Sequence, residues 1–401
     1  MTSKETVAEA LAEYPVFDGH NDLVTNLRGH RGYCVAGLDK PSPEFHTDLP
    51  RLRQGGVGAQ FWSAWVPSTL PEPQAVVATI EQIDAIHRLI AAYPSDLAFA
   101  TSADEVRAAW TQNKIASLIG VEGGHSIGNS LAVLRAFKTL GVRYLTLTHN
   151  DNNAWADSAT DKPIHDGLTA GGRAVVTELN RLGILVDLSH TSADTQRAAI
   201  AASKAPVLFS HSSAFAVNAH PRNVPDDVLE LLKVNGGVVQ AVFLPSFVSK
   251  ALYEWEKEAR ESVKTEHPDF SGFWKPAPLP GETYAERQAI NDAPTAVAGN
   301  PPGGFFAALA EFEKVRPKPK VGIADVVEHI EHLREVAGID HIGLGGDYDG
   351  TLWQPEGLED VSTYPNLLEA LADRGWSSHE LAKLAGGNVL RVLGDAETHA
   401  E

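Results

Sequence analysis

The sequence predicts a (β/α)8 TIM-like barrel, and two observations lead to that prediction. Eight short apolar segments typical of buried strands recur along the 401 residues, and amphipathic helical segments alternate with them. Buried strands that alternate with helices form parallel sheets, and eight such units close into a barrel. We place the strands near residues 16, 59, 116, 145, 185, 207, 239 and 343.

The N-terminal part contains the first two strands and a long connection between them. A helix is predicted over 4–14, and Pro15 ends it before the first strand. Residues 24–54 are rich in glycine and proline, which predicts a loop. The apolar run 57–66 is typical of a strand buried on both faces, and a helix is predicted over 74–92.

From residue 102 onward, strands and helices alternate regularly until one long interruption. The further helices are predicted over 102–112, 131–140, 170–182, 192–202, 226–234, 323–337, 365–373, 378–385 and 387–393. Residues 245–320 are rich in proline with a helical piece over 248–263, and we interpret them as a large insertion on one barrel loop, as a lid or dimer arm. The prediction is one catalytic barrel domain, 1–401, that includes this insertion.

Composition restricts the class of protein. The net charge of −19 comes from 52 acidic and 33 basic residues, which argues against nucleic-acid and anionic-membrane partners. The single cysteine, Cys34, permits no intramolecular disulfide and no cysteine-rich zinc site. The N-terminus has no secretory signal and no segment is apolar enough to span a membrane, so we expect a cytoplasmic protein.

Polar residues of one chemical kind stand at the ends of the predicted strands. They are His20, Asp22, Glu122, His149, His190, His211 and Asp347. In a barrel of parallel strands, residues at the C-terminal strand ends meet around one mouth. Histidine nitrogens and carboxylate oxygens suit a divalent metal such as zinc. The pattern therefore predicts a metal centre at the mouth of the barrel.

The number of ligands predicts two metal ions. Three histidines and two carboxylates provide more ligands than one tetrahedral zinc needs. Glu122 is the natural bridge, because its strand lies between the two halves of the ligand set. His20 and Asp22 would then hold one ion, and His190 and His211 would hold the other. Two ions about 3.5 Å apart can hold a water between them and lower its pKa toward neutrality.

These residues stand in stretches that resemble the renal or membrane dipeptidase family, a branch of the amidohydrolase-like metal-dependent barrels. The matching stretches are 18–22 (DGHND), 46–52 (HTDLPRL), 56–63 (GVGAQFWS), 122–123 (EG), 147–150 (LTHN), 187–190 (DLSH), 209–212 (FSHS), 220–223 (HPRN), 345–350 (GGDYDG) and 386–388 (GGN). The resemblance implies a homodimeric dipeptidase with two Zn²⁺ per chain. It implies hydrolysis of L-L dipeptides and of L-D dipeptides, since the family tolerates a D-residue at the C-terminal position.

The resemblance also implies roles for three residues beside the metal ligands. His149 resembles the histidine that contacts the substrate carbonyl and helps to stabilise the oxyanion. Arg222 resembles the arginine that binds the terminal carboxylate, and a guanidinium suits that group. Asp347 resembles the acid that takes the proton of the water and passes it to the leaving amine. The residues alone leave Asp347 open as a third metal ligand or as a turn residue before Gly350.

Several local features permit other interpretations. Residues 124–128 (GHSIG) match the G-x-S-x-G turn of serine hydrolases, but that turn needs Ser126 directly between strand and helix. Residues 347–350 resemble part of a calcium loop but lack the further oxygen ligands of an EF-hand. Three histidines lie on predicted helices, where we expect them to be solvated rather than ligating: His87, His329 and His332.

The same metal centre is compatible with other functions. A related binuclear-metal amidohydrolase would act on an N-acyl amino acid or a lactone, and Arg222 does not separate an N-acyl amino acid from a dipeptide. A metal-binding scaffold without activity is the non-enzyme alternative. The presence of every ligand together with His149 and Asp347 argues against that scaffold.

Overall fold

The computed structural model describes residues 2–266, 305–351 and 353–400, and it confirms the (β/α)8 barrel. Eight parallel strands form the sheet; in ring order they are β1 (Val16–Asn21), β2 (Val57–Trp65), β4 (Ile115–Glu122), β5 (Val142–Thr146), β6 (Leu185–Asp187), β7 (Leu208–Ser212), β8 (Val238–Ala241) and β9 (Ile342–Leu344). The ring is closed, because β2 pairs with both β1 and β4 and β1 pairs with β9.

A further short strand, β3 (Leu97–Phe99), lies outside this ring and is not among the predicted strands. It pairs with the start of β4, whereas β5 takes the same edge of β4 from Ile119 onward. Only Leu97 of its three residues is buried. Such a short strand has too few apolar residues to be recognised from its sequence pattern.

Helices surround the ring, and most of the predicted ones are present within a few residues. They run over Ser3–Glu13, Leu23–Arg31, Leu49–Gln54, Glu72–Ala92, Ala103–Thr111, Leu131–Thr139, Ala170–Leu182, Ala193–Ala202, Asp226–Asn235, Pro245–Val248, Lys250–Glu266, Phe305–Val315, Ile323–Val336, Tyr364–Asp373, Ser378–Ala382 and Asn388–Thr398, with a π-helical turn at Lys383–Gly387. Within the described ranges, none of these helices combines the length and the apolar character needed to cross a membrane.

The expectation of a loop over residues 24–54 is wrong at both ends. The helix Leu23–Arg31 contains a glycine and ends at Gly32, which adopts the left-handed conformation with φ of 53°. The helix Leu49–Gln54 begins after Asp48, whose side chain accepts a hydrogen bond from the Arg51 N–H. Its proline stands in the first turn, where a missing N–H costs nothing. Glycine and proline here mark helix ends.

The described part of the 245–320 segment lies between β8 and the helix Ile323–Val336, where the sequence places the insertion. Residues 267–304 lie outside the described residues. The helices Lys250–Glu266 and Phe305–Val315 pack together through Trp255, which is buried. Its Nε1 donates to the Arg316 carbonyl over 2.7 Å, and its ring lies 5.5 Å from that of Phe312.

His329 is fully buried, so the expectation that it is solvated is wrong. Its Nδ1 accepts a hydrogen bond from the Ala214 N–H (3.0 Å), and its Nε2 lies 3.2 Å from the Val248 carbonyl, to which it donates. The ring thus joins the loop after β7 to the base of the insertion. His87 and His332 are partly buried and hydrogen-bonded. The helical periodicity of the sequence could not show that the side of the helix Ile323–Val336 that carries His329 packs against other loops.

Candidate metal centre

The residues predicted to form the site do meet at the C-terminal ends of the strands. His20 lies in β1 and Asp22 just after it, Glu122 ends β4, and His211 lies in β7. The other three residues follow their strands by a short turn: His149 after β5, His190 after β6 and Asp347 after β9. The barrel closes these positions into one cluster, which contains three overlapping groups of three potential metal ligands. Within each group, the ligand atoms lie within 4.8 Å of one another.

Glu122 stands at the centre of the cluster, and its two oxygens face different partners. Its Oε2 lies 3.5 Å from His20 Nε2 and accepts a hydrogen bond from Ser63 Oγ. Its Oε1 lies 3.0 Å from His190 Nε2 and 3.5 Å from His211 Nε2. One carboxylate therefore contacts both halves of the ligand set.

The half of the cluster around His20 contains two further carboxylates. His20 Nε2 lies 3.2 Å from Asp22 Oδ2 and 4.0 Å from Asp347 Oδ1. These three residues form one of the potential ligand groups, and all three are buried. The geometry is therefore compatible with Asp347 either as a ligand or as a base beside the ligands.

The other half of the cluster is made of imidazoles. His190 Nε2 and His211 Nε2 are 2.9 Å apart, and His149 Nε2 lies 3.9 Å from Glu122 Oε1. His149 packs between the rings of Trp65 and His190, at centroid distances of 5.3 and 4.3 Å. The His149 ring is thus held at the edge of the cluster, beside the Glu122 oxygen that the other histidines share.

The donor set fits divalent metal ions, because each of the three histidines predicted as ligands is held by its other nitrogen. The Nδ1 partners are Tyr144 Oη for His20 (2.8 Å), Asn150 Oδ1 for His190 (3.2 Å) and Ser210 Oγ for His211 (2.8 Å). All three partner atoms can accept a hydrogen bond, so each Nδ1 can carry the proton and leave Nε2 free to ligate. Such outer partners commonly orient histidine ligands in metal sites.

The Ser210 contact continues to a buried carboxylate. Ser210 Oγ donates to Asp187 Oδ2 over 2.7 Å, and Thr146 Oγ1 donates to the same oxygen. Asp187 Oδ1 accepts the N–H groups of Ser189 (3.1 Å) and Ser210 (2.8 Å). Asp187 thus joins the ends of β5, β6 and β7 beneath His211, a predicted ligand.

Burial lowers the pKa of His149, His190 and His211 well below the usual value, so these three rings are neutral, the form in which a histidine binds a metal. At His20 the electrostatic effect of Tyr144, Glu122 and Asp22 outweighs burial and raises the pKa well above the usual value. Burial raises the pKa of Glu122 and raises that of Asp347 well above the usual value. Neutral imidazoles beside buried carboxylates form a site that a divalent cation would stabilise.

Arg222 lies beside the cluster as a buried cation. It is 3% exposed, its Nη2 donates to the His211 carbonyl over 3.4 Å, and its guanidinium lies 5.2 Å from the Phe247 ring. Its Nε has no hydrogen-bond partner among the described residues. Burial lowers the pKa of Arg222 to about 10, which leaves the group charged at neutral pH. This arrangement can bind an anion such as a carboxylate.

The turn that carries Asp347 is constrained in several ways. Asp347 and Asp349 adopt left-handed backbone conformations, with φ of 57° and 67°, which are uncommon for residues other than glycine. Asp349 Oδ1 accepts the His46 N–H (2.8 Å), and His46 Nδ1 accepts the Asp349 N–H (3.1 Å). A Cβ on Gly350 would lie 2.2 Å from Asp347 Oδ1 and 2.6 Å from Asp22 Oδ2, so a larger residue there would displace these two carboxylates.

The residues that support the predicted ligands have no role that we could assign from the sequence. Their position in or beside the stretches that resemble the dipeptidase family was the one sign in the sequence that they matter. They are Tyr144, Asn150, Asp187, Ser210 and His46. Contacts between different strand ends depend on side-chain rotamers that a sequence pattern does not contain.

The serine-hydrolase interpretation finds no support in the structure. Ser126 lies in a 3-10 turn, Gly124–Ile127, and is fully buried. Its Oγ makes no hydrogen bond within the part of the chain that the structure describes. A nucleophilic serine needs a base within hydrogen-bonding distance, so this residue is a packing residue.

Comparisons with known proteins agree with the geometry. The family model described as membrane dipeptidase, peptidase family M19, matches residues 4–401. Dipeptidase VerJ of Clonostachys rogersoniana is 39% identical over 96% of this chain and 85% of its own. Dipeptidase AclJ of Aspergillus oryzae is 38% identical over 98% of this chain and 81% of its own.

Solved structures show the same fold. The probable dipeptidase PvdM from Pseudomonas aeruginosa has a TM-score of 0.79 at 25% identity, with 99% of each chain covered. A metallo peptidase from Rhodobacter sphaeroides, solved with a phosphinate mimic of the dipeptide L-Ala-D-Ala, has a TM-score of 0.74 at 24% identity. That alignment covers 95% of this chain and 99% of the other.

Proposed function

We propose that this chain, which belongs to the membrane dipeptidase family (peptidase family M19), hydrolyses dipeptides to free amino acids with two zinc ions bound at its barrel mouth. The observation that carries the proposal is the position of Glu122. Its Oε2 faces His20, while its Oε1 faces His190 and His211. A carboxylate placed in this way suits a bridge between two ions.

The proposed ligands divide into two sets that share Glu122. His20 and Asp22 would hold one zinc, and His190 and His211 would hold the other. Ions bound there would lower the pKa of a water toward neutrality and so supply a nucleophile. The outer partners Tyr144, Asn150 and Ser210 would keep the three imidazoles in the tautomer that ligates through Nε2.

Three further residues would act on the dipeptide. Arg222 binds the terminal carboxylate, because it is a buried cation whose Nε has no partner among the described residues. His149, neutral because of burial, donates a hydrogen bond to the carbonyl oxygen of the scissile peptide. Asp347 takes a proton from the attacking water and passes it to the leaving amine. Its raised pKa suits that second transfer, since a weaker acid holds the proton until the amine accepts it.

The experiment that tests this proposal uses the full chain, depleted of metal and then loaded with zinc. Free amino acids are measured after incubation with L-Ala-L-Ala, L-Ala-D-Ala, the C-terminal amide of L-Ala-L-Ala and N-acetyl-L-alanine. We expect both dipeptides to be cleaved and the amide to be a poor substrate, because it lacks the carboxylate that Arg222 binds. Binding of fewer than about two ions per chain, or no cleavage of either dipeptide, would contradict the proposal. Faster cleavage of N-acetyl-L-alanine would favour the N-acyl amino acid alternative.

A further inference from the structure

A cavity of about 670 Å³ opens at the surface beside the loops that carry His149 and Arg222. Its principal lining residues are Thr160, Asp161, Lys162, His220, Pro221 and Tyr253. None of these residues takes part in the chemistry proposed above. The chain segments that form the walls of the cavity indicate what it binds.

One wall belongs to the loop that follows β5 and is tied to His149. Ser158 Oγ donates to the His149 carbonyl over 2.6 Å. Two residues later, Thr160 Oγ1 donates to the Asn150 carbonyl over 2.7 Å. The position of this wall is therefore fixed relative to the residue that would contact the scissile carbonyl.

The opposite wall belongs to the loop that follows β7 and is tied to Arg222. His220 Nδ1 accepts the Arg222 N–H over 3.2 Å. The His220 ring packs on Phe247 at 4.2 Å, and the Arg222 guanidinium lies over the same ring at 5.2 Å. His220 therefore stands directly beside the residue that would bind the terminal carboxylate.

The described part of the insertion completes the cavity. Tyr253, on the helix Lys250–Glu266, places its ring 4.5 Å from that of His220. The base of the insertion is fixed to the Arg222 loop, because Asn218 and Asn223 both donate to the Phe247 carbonyl, over 3.0 and 2.8 Å. The insertion thus contributes an aromatic ring to a cavity between the two loops that carry the proposed substrate contacts.

We propose that this cavity receives the side chain of the C-terminal residue of the dipeptide, and that the rings of Tyr253 and His220 favour an aromatic side chain there. The inference rests on the proposed function. A dipeptide with its carboxylate on Arg222 and its scissile carbonyl at His149 has its C-terminal residue between the two loops that form the walls. Aromatic rings pack favourably in offset and edge-to-face pairs. Asp161 and Lys162 carry opposite charges, so the rim gives no net preference for a charged side chain.

The test compares kcat/KM for L-Ala-L-Phe and L-Ala-Gly with the zinc-loaded full chain. We expect the wild type to favour L-Ala-L-Phe, and Tyr253→Ala to lower the ratio of the two values by about fivefold. Tyr253→Phe retains the ring and should retain the ratio. Phe99→Ala removes another partly exposed ring, on β3 and outside the cavity, and is the matched control that should leave the ratio unchanged.

Two results would overturn the inference. One is an unchanged ratio in Tyr253→Ala, and the other is an equal fall in Tyr253→Phe. Should Tyr253→Ala fail to fold, Tyr253→Leu removes the ring while filling most of its volume and gives the same comparison. Failure of the wild type to cleave either dipeptide would instead contradict the proposed function, so the two failures are distinguishable.

Discussion

At the scale of single residues, the site depends on what each polar atom faces. Glu122 offers one oxygen to each half of the ligand set, and Arg222 is buried with a nitrogen that no described residue satisfies. Both are costly arrangements in the absence of a partner, because buried polar groups need compensating interactions. A pair of cations at Glu122 and a carboxylate at Arg222 would provide them.

Asp347 is the residue whose role is most open to test. As a proton carrier it should be dispensable for metal binding, so Asp347→Asn should retain bound zinc and lower kcat by about 10²–10⁴-fold. Metal analysis together with steady-state kinetics measures both quantities. Loss of zinc in the variant would identify Asp347 as a ligand, which its 4.0 Å distance from His20 Nε2 also permits.

His329 should make the stability of the protein depend on pH. Burial lowers its pKa to about 4, against an ordinary value of about 6.5 in the unfolded chain. The folded state therefore binds fewer protons between these values, so the contribution is fully present above about pH 6.5 and is lost as pH falls toward 4. The free energy of unfolding lost in this way is about 3 kcal/mol. Urea unfolding at several pH values measures this effect. Between about pH 6.5 and about pH 4, the free energy of unfolding of His329→Gln should fall less than that of the wild type. If the two proteins lose equal stability over this range, His329 is not the cause of the loss.

At the scale of elements, the clustering of polar residues at the strand ends could be predicted from the sequence. The residues that hold them in place by hydrogen bonds could not. His190 and His211 could be assigned to one cluster because barrel topology brings the ends of neighbouring strands together. The contacts of His211 with Ser210 and of Ser210 with Asp187 depend on rotamers, which a pattern does not specify. The two helices within residues 24–54 were missed for a similar reason, since proline and glycine there mark helix ends rather than a loop.

The hydrogen bond between Ser210 Oγ and His211 Nδ1 gives a prediction about metal affinity. Ser210→Ala removes the hydrogen-bond acceptor of His211 Nδ1 and should weaken the binding of one zinc by about 10–100-fold. Competition with a chromophoric chelator measures this affinity. Ser213→Ala removes another buried hydroxyl, whose Oγ bonds to the Val242 carbonyl instead, and is the control. Equal effects of the two substitutions would show that Ser210 acts only through packing.

At the scale of the whole molecule, the closed ring of parallel strands is what joins residues that are more than 300 positions apart. His20 on β1 and Asp347 after β9 meet because these two strands pair and close the barrel. The assignment of 1–401 to one domain, the homodimer and the cytoplasmic location remain predictions.

Removal of metal should destabilise the whole fold, because ions that bind only the folded state stabilise it by mass action. For an ion present at 100 times its Kd this is about 2.7 kcal/mol, or about 3 °C in Tm for a chain of this size. Calorimetry of chelated and zinc-loaded protein measures the difference. An unchanged Tm on loading would mean that the buried histidines and carboxylates do not bind the metal.

The central claim is that Glu122 joins two metal ions, and anomalous X-ray diffraction from zinc-loaded crystals at the zinc edge tests it most directly. We expect two separate peaks in each chain. One would lie beside His20 and Asp22, the other beside His190 and His211, with Glu122 in contact with both. A single peak, or a Glu122 carboxylate in contact with only one of two peaks, would contradict it.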